Sequence, residues 1–143
     1  MKIKFSQSLI SLFILFSISI NITYGQNFTN LTQSTDSTYG YSDKNPLKLK
    51  KDDPVGGIKN SKEFLKGLKT SDGQNLTVIS RSGVVDPNYK EPPGGILASL
   101  GDGGILDKYE LVTSVKKDTI ILYIDIYHKD KLFIPVGLKY EKP

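Results

Sequence analysis

The chain has 143 residues, a formal net charge of +4, a single histidine and no cysteine, which excludes thiol nucleophiles, disulfides and zinc sites built from cysteine. Its first 25 residues hold two lysines and no acidic residue, so the other 118 carry 17 basic and 15 acidic side chains, a net charge of +2. These charges are interleaved rather than clustered on one face, so we expect no nucleic-acid partner.

The start of the chain has the three parts of a secretory signal peptide. Lys2 and Lys4 give a positive amino-terminal region, residues 9–20 are apolar apart from serines, and Thr23 and Gly25 are the small residues of a cleavage site. The apolar run is shorter than the roughly 20 residues that a membrane-spanning helix needs. We therefore predict cleavage after Gly25 and a periplasmic or secreted product that has no membrane span after signal cleavage.

The sequence then divides into a signal peptide at residues 1–25, a flexible leader at 26–45 and a single domain at 46–143. The leader is predicted to be flexible because it is rich in Asn, Thr, Ser and Gly and lacks aliphatic periodicity. The remaining length suits one small domain with a hydrophobic core that needs no disulfides.

The domain begins with a short strand and the clearest helix pattern of the chain. Leu47 and Leu49 alternate with lysines, as in an edge strand blunted by charge. A helix is predicted at about residues 61–68, where Asn60 can cap the first turn and Glu63 stands three residues later, as in a capping box. We expect this short helix to pack against a sheet.

A strand at residues 76–80 leads into a long segment, 82–104, that glycines and prolines interrupt throughout. Loops of this length in compact domains are commonly functional or mobile, so we place the candidate site here. Arg81, at the predicted strand end, could bind a carboxylate or phosphate, with a structural salt bridge as the alternative. Asp102 is a second candidate, although its glycine run lacks the Lys-Ser/Thr of a phosphate loop and suits a turn.

The last third of the sequence predicts an antiparallel hairpin of residues 106–115 and 119–127, followed by a strand at 132–136. Every second residue of the second hairpin strand is aliphatic, beginning with Ile120, as expected for one buried face. Pro135 places the last strand at a sheet edge or breaks it. These elements predict an α+β fold, a small antiparallel sheet of about four or five strands with one short helix.

Three tyrosines complete the candidate binding residues. The rings of Tyr39, Tyr41 and Tyr89 could stack on sugar rings, with packing at the core or sheet edge as the alternative. We predict no metal site and no cofactor. The sequence does not specify the partner, and the two candidates are an envelope protein and a glycan.

Catalytic residues cannot be assigned from the sequence. His128 follows a strand and could join Asp125 or Asp130 in a Ser-His-Asp arrangement, but the chain has no G-x-S-x-G elbow. We therefore interpret His128 as a solvated residue at the end of the hairpin.

A series of short motifs stands in one order along residues 39–140: Tyr39-Gly40-Tyr41, Asn45-Pro46-Leu47-Lys48, Gly56-Gly57, Phe64-Leu65, Gly104-Ile105-Leu106-Asp107-Lys108-Tyr109-Glu110, Asp118-Thr119-Ile120, Leu122-Tyr123 and Pro135-Val136-Gly137. In this order they resemble a family of small exported bacterial proteins of unknown function. Where many members of that family have adjacent cysteines, this chain has Val84-Val85. That difference argues against a redox or metal role for the loop.

Members of this family are sometimes named 2-dehydro-3-deoxyphosphooctonate aldolase, a synthase that joins phosphoenolpyruvate to arabinose 5-phosphate. Such synthases resemble (β/α)₈ barrels, which need at least about 200 residues, more than the 118 that follow the predicted signal peptide. The sequence thus favours a non-enzymatic envelope binding or accessory protein. The alternative is an enzyme, either a small hydrolase that uses His128 and nearby acids or the synthase named in the family.

Overall fold

The computed structural model describes residues 28–51, 54–89 and 104–143. The predicted signal peptide and Asp102 lie outside the described residues. In chain order the elements are β1 (Leu47–Lys48), α1 (Pro54–Gly67), β2 (Leu68–Thr70), β3 (Leu76–Val85), β4 (Ile105–Thr113), β5 (Thr119–Asp125) and β6 (Leu138–Tyr140).

Four strands form the main sheet in the order β1-β5-β4-β3, and β2 pairs with β6 in a separate two-stranded sheet. The pairs β3–β4, β4–β5 and β2–β6 are antiparallel, whereas β1 runs parallel to β5 with Leu47 opposite Ile124. A parallel pair needs a crossover of a dozen or more residues, which the chain between β1 and β5 supplies. The predicted α+β fold is confirmed, with a mixed main sheet in place of a purely antiparallel one.

The core joins α1 to one face of the main sheet. Phe64 and Leu65 of the helix are buried in the same cluster as Leu111, Leu122 and Ile124 of the sheet. Full burial of such a side chain contributes about 1.5–3 kcal/mol relative to exposure. The aliphatic face predicted for β5 is therefore the face that meets the helix.

Helix α1 begins at Pro54, well before the predicted start, and ends at Gly67. Proline is favoured in the first turn of a helix because its missing N–H has no partner to lose there. Asn60, predicted as the cap, is instead a buried residue inside the helix. The glycine pair before it belongs to the helix as well, and a β-carbon on Gly57 would lie 2.8 Å from the carbonyl oxygen of Ile126. Close approach of helix and sheet thus requires a small residue at that position.

Strand β3 is longer than predicted and includes the first residues of the segment 82–104. Arg81, predicted at a strand end, lies within β3 and opposite Tyr109 of β4. The two valines that end β3 are β-branched and continue the ladder, which is why the strand does not stop where the glycines and prolines begin. The loop prediction is wrong for residues 82–85, and residues 90–103 lie outside the described part of the chain.

The predicted hairpin is confirmed as β4 and β5, although each strand ends before its predicted boundary. Val115, which lies inside the predicted first strand of the hairpin, is 74% exposed. The strand has already ended at Thr113, whose hydroxyl oxygen accepts a hydrogen bond from the N–H of Asp118 at 3.0 Å. That bond closes the turn and directs Val115 into solvent.

Residues 132–136 do not form the predicted strand, and within them only Ile134 makes a β-bridge, to Gln33. Pro135 has no N–H to donate to a ladder. Gly137 then adopts a φ of +82°, a conformation that side chains disfavour, and the chain turns there into β6. The last strand therefore follows the turn instead of preceding it.

The segment 28–45, most of the predicted flexible leader, is in contact with the domain. The N–H of Tyr123 donates to the carbonyl of Gly40 at 2.8 Å. The hydroxyl of Tyr41 donates to the carbonyl of Val136 at 2.7 Å. The packed unit thus extends beyond the predicted domain start.

Candidate functional site

The described surface carries two adjoining clefts that meet at Asn45, Pro46 and Lys48. The first cleft, of about 410 Å³, continues toward residues 33–36, and the second cleft, of about 470 Å³, continues toward residues 86–89. Both volumes fall within the range of small-ligand sites. Together the two clefts form what we call the polar groove.

Two aromatic rings line the first cleft. Tyr39 and Phe133 meet edge to face, with ring centroids 5.7 Å apart and an interplanar angle of 87°. The backbone N–H of Phe133 donates to the hydroxyl oxygen of Tyr39 at 3.2 Å. Burial raises the pKa of Tyr39 above its ordinary value, so its hydroxyl keeps its proton. The proton remains available for a hydrogen bond to a ligand.

A hydrogen-bond network fixes one wall of the first cleft. Asp36 Oδ1 accepts from the N–H and the hydroxyl of Thr38, both at 2.8 Å, and Asn45 Nδ2 donates to Asp36 Oδ2 at 2.9 Å. The N–H of Thr38 and then its hydroxyl hold the pKa of Asp36 below its ordinary value. Asp36 is therefore an ionised acceptor that orients Asn45 at the junction of the clefts.

Charges of both signs follow along the first cleft. Lys48 Nζ lies 3.5 Å from Asp130 Oδ2, and the ammonium of Lys131 lies 5.0 Å from the ring centroid of Phe133. The N–H of Lys131, followed by Lys48, lowers the pKa of Asp130. The positive charges of the two lysines balance the negative charges of Asp36 and Asp130. The first cleft therefore offers hydrogen-bond donors and acceptors without an excess of positive or negative charge.

The second cleft contains a buried carboxylate in contact with the single histidine of the chain. The side chain of Asp125, at the end of β5, is 3% exposed, whereas that of His128 is 55% exposed. Asp125 Oδ1 accepts from the N–H groups of Tyr127 at 2.8 Å and His128 at 3.0 Å, and Oδ2 lies 2.7 Å from His128 Nδ1. The carboxylate thus sets the orientation of the imidazole ring.

The turn after β3 forms the opposite wall of the second cleft. The N–H of Asn88 donates to Asp86 Oδ1 at 2.8 Å, and its side-chain amide donates to the carbonyl of Lys44 at 3.1 Å. The hydroxyl of Tyr89 is buried and makes no hydrogen bond within the described residues. Burying a polar group without a partner is costly, and the described residues supply no partner for this hydroxyl.

The five binding residues predicted from the sequence lie in different places. Tyr39 lines the first cleft and Tyr89 lines the second. The hydroxyl of Tyr41 bonds to a backbone carbonyl. Arg81 pairs with a buried aspartate of β4 at 2.9 Å and lines neither cleft, in keeping with the structural salt bridge. Asp102 lies outside the described residues.

Sequence reasoning did not place Asn45 or Lys48 among the candidate residues, and it considered Asp125 only as one of two acids that could join His128. Asn45 is the last residue of the predicted leader and Lys48 belongs to the predicted edge strand, and neither is part of a motif that indicates ligand binding. For Asp125 a signal exists in the spacing Asp-Ile-Tyr-His, which allows a carboxylate to bond forward to the ring of His128 across a tight turn.

Among residues 28–51, 54–89 and 104–143, no group of three or more His, Asp or Glu side chains is placed to hold a metal ion. No helix in that part of the chain is long and apolar enough to cross a membrane.

No family model, no curated protein and no solved structure matches the chain. The candidate site is therefore defined by its geometry alone.

Proposed function

We propose that the chain is an exported accessory domain of the cell envelope that binds a glycan along the polar groove. The observation that carries the proposal is the junction of the two clefts at Asn45, Pro46 and Lys48. Because these residues line both clefts, a ligand longer than one cleft can contact both. An extended surface suits a ligand that is itself a chain of repeated polar units.

The chemistry of the groove favours a carbohydrate over a strongly charged polymer. Sugar hydroxyls both donate and accept hydrogen bonds, and the first cleft presents ionised carboxylates beside ammonium groups and a side-chain amide. The ring pair of Tyr39 and Phe133 adds an apolar surface on which the C–H face of a sugar ring can pack. A site that binds a polyanion would instead have a clustered excess of positive charge.

The long loop predicted after β3 supports the same role. Its described beginning, residues 86–89, is a wall of the second cleft. Loops carried by a stable sheet are the usual place for recognition residues. A binding domain also agrees with the fold better than the synthase named in the resembled family does. The barrel of such a synthase has eight parallel strands, whereas this fold has one parallel strand pair among the described residues.

The test is thermal unfolding of the purified chain with soluble fragments of peptidoglycan and of surface polysaccharide. A ligand at 100 times its dissociation constant adds about 2.7 kcal/mol to the free energy of unfolding. At this chain length each kcal/mol raises the midpoint by about 4 °C, so we expect a rise of about 10 °C.

Two variants and a control connect binding to the groove. Lys48→Ala removes an ammonium that borders both clefts, and Tyr39→Phe removes one hydroxyl from the first. We expect each to weaken glycan binding by about 1 kcal/mol, roughly fivefold. Lys62→Ala, on the exposed side of α1, should leave the affinity unchanged. If no glycan raises the unfolding midpoint and the chain cross-links to an envelope protein, the partner is a protein and the proposed glycan ligand is wrong.

A further inference from the structure

The contact between Asp125 and His128 has a chemical consequence beyond holding a turn. Both oxygens of the carboxylate are engaged, and one of them lies 2.7 Å from His128 Nδ1. Because an ionised carboxylate accepts and cannot donate, Nδ1 carries the ring proton. The neutral imidazole therefore presents Nε2 as a proton acceptor.

Groups that can stabilise negative charge border the same cleft. Lys44 and Lys48 line it together with His128, and Asn88 and Tyr89 form its opposite wall. Donors fixed around a reacting carbonyl lower the barrier by stabilising the oxyanion that develops there.

We propose that the second cleft hydrolyses an acyl ester carried by the bound glycan, with His128 as the general base and Asp125 as its positioning residue. The glycan part of this inference rests on the proposed function. The chemical part rests on the contact between the carboxylate and the imidazole and on the lysines beside it.

The step uses water as its second reactant. His128 Nε2 takes a proton from a water molecule while the water oxygen bonds to the acyl carbon, and the carbonyl electrons move to the oxygen near the lysine ammonium groups. The tetrahedral intermediate then collapses, the bond between the acyl carbon and the sugar oxygen breaks, and Nε2–H returns its proton to that oxygen. The products are a carboxylic acid and a sugar hydroxyl, and the ring is neutral again.

Water is the nucleophile because none of the described residues that line the second cleft is a serine, threonine or cysteine. An ester suits a site with one base, because an alkoxide leaves more readily than the nitrogen anion that an unprotonated amide would have to expel. A carboxylate that only capped the turn after β5 would make the same backbone contacts and would give no turnover.

The experiment measures hydrolysis of 4-nitrophenyl acetate and release of acetate from O-acetylated peptidoglycan fragments by the purified chain. His128 is the only histidine, so free N-acetylhistidine methylamide at equal concentration gives the rate of an unassisted imidazole. We expect the chain to exceed that rate by about tenfold or more, and His128→Ala to abolish the excess.

Asp125→Asn tests the positioning role through a spectroscopic signature. In this variant the side-chain oxygen keeps the N–H groups of Tyr127 and His128, which leaves the amide nitrogen, a donor, facing Nδ1. Nitrogen NMR of the single histidine should therefore show the proton shifting to Nε2, with at least about a tenfold loss of rate. Lys129→Ala changes an exposed residue next to His128 and is the matched control. Circular dichroism verifies that each variant folds.

The outcomes separate this inference from the proposed function. Glycan binding without acetate release above the unassisted rate overturns the hydrolysis and leaves binding intact. Turnover of the small ester without glycan binding overturns the glycan substrate and the proposed function. An Asp125→Asn variant that keeps both tautomer and rate overturns the positioning role.

Discussion

Gly67 lies directly against the ring of Tyr140, and a β-carbon on Gly67 would lie 2.6 Å from Cζ of that ring. The ring is held in place, because Tyr140 stacks on Phe64 with planes 11° apart and the N–H of Glu141 donates to the carbonyl of Gly67 at 2.8 Å. We predict that Gly67→Ala lowers the free energy of unfolding by about 1–3 kcal/mol through overpacking. The helix-propensity gain of about 1 kcal/mol or less at a helix end does not offset this.

Thermal unfolding measures the effect, and the midpoint should fall by about 4 °C for each kcal/mol lost. Lys62→Ala, exposed on the same helix, is the control and should unfold close to the parent. A Gly67→Ala midpoint equal to or above that of the parent would contradict the predicted clash.

The ion pair between Arg81 and Asp107 should contribute measurably to stability. Arg81 is 39% exposed but Asp107 only 9%, so Arg81→Ala leaves a nearly buried carboxylate without its cation. We expect a loss of about 1–3 kcal/mol in urea unfolding, less than for a fully buried pair. The double variant Arg81→Ala with Asp107→Asn should be more stable than Arg81→Ala alone. A double variant that simply adds two losses would show that the pair is not coupled.

Stability at acid pH should depend on Asp72. The hydroxyl of Thr70, then the side chain of Gln74 at 2.9 Å, lower the pKa of Asp72 below the ordinary 3.8, and Lys116 Nζ lies 3.3 Å away. The unfolded state therefore binds the proton first as the pH falls. The contribution of this carboxylate is complete above its ordinary pKa and is lost progressively toward the lowered folded value.

Urea unfolding of the parent and of Asp72→Asn at about pH 5 and about pH 2.5 checks this prediction. The parent should lose more stability between the two conditions than the variant does. Ser71→Ala, a neighbouring exposed change without a charge, should follow the parent. Equal losses in parent and Asp72→Asn would remove Asp72 as a source of the acid sensitivity.

Amide hydrogen exchange can decide how the segment 28–45 behaves in solution. The N–H of Gly40 donates to the carbonyl of Asn45 at 2.8 Å, and that of Ser34 donates to the carbonyl of Ile134 at 2.8 Å. We expect both amides to exchange at least about a hundredfold more slowly than in an unstructured peptide. Exchange at the peptide rate would instead agree with the flexible leader predicted from the sequence.

Much of the fold follows from local patterns that long-range contacts do not change. The alternation beginning at Ile120 predicted β5 and its buried face, because the side chains of a strand with one covered face must alternate. The predicted helix begins too late because two adjacent glycines, Gly56 and Gly57, disfavour a helix. The contact of Gly57 with the backbone of Ile126, almost 70 positions away, is what explains the pair, and such a contact cannot be seen in a local window.

The candidate site was harder to predict than the fold. The alternation of β5 assigns Asp125 to the less buried side with Tyr123, yet Asp125 is almost completely buried. It is buried because the turn at residues 86–89 and the segment around Lys48 border that end of the sheet. A tertiary arrangement of separate segments, rather than any single motif, thus creates the second cleft.

The bridge between Gln33 and Ile134 joins the two ends of the described chain. During synthesis the amino-terminal partner emerges first and must wait for about a hundred further residues before this contact can form, since chains are made from the amino terminus. Contacts of such long range also close slowly. The ring pair of Tyr39 with Phe133 has the same requirement. A nascent chain that has not yet reached Phe133 therefore lacks one wall of the first cleft, and the cleft is complete only after that residue has been made.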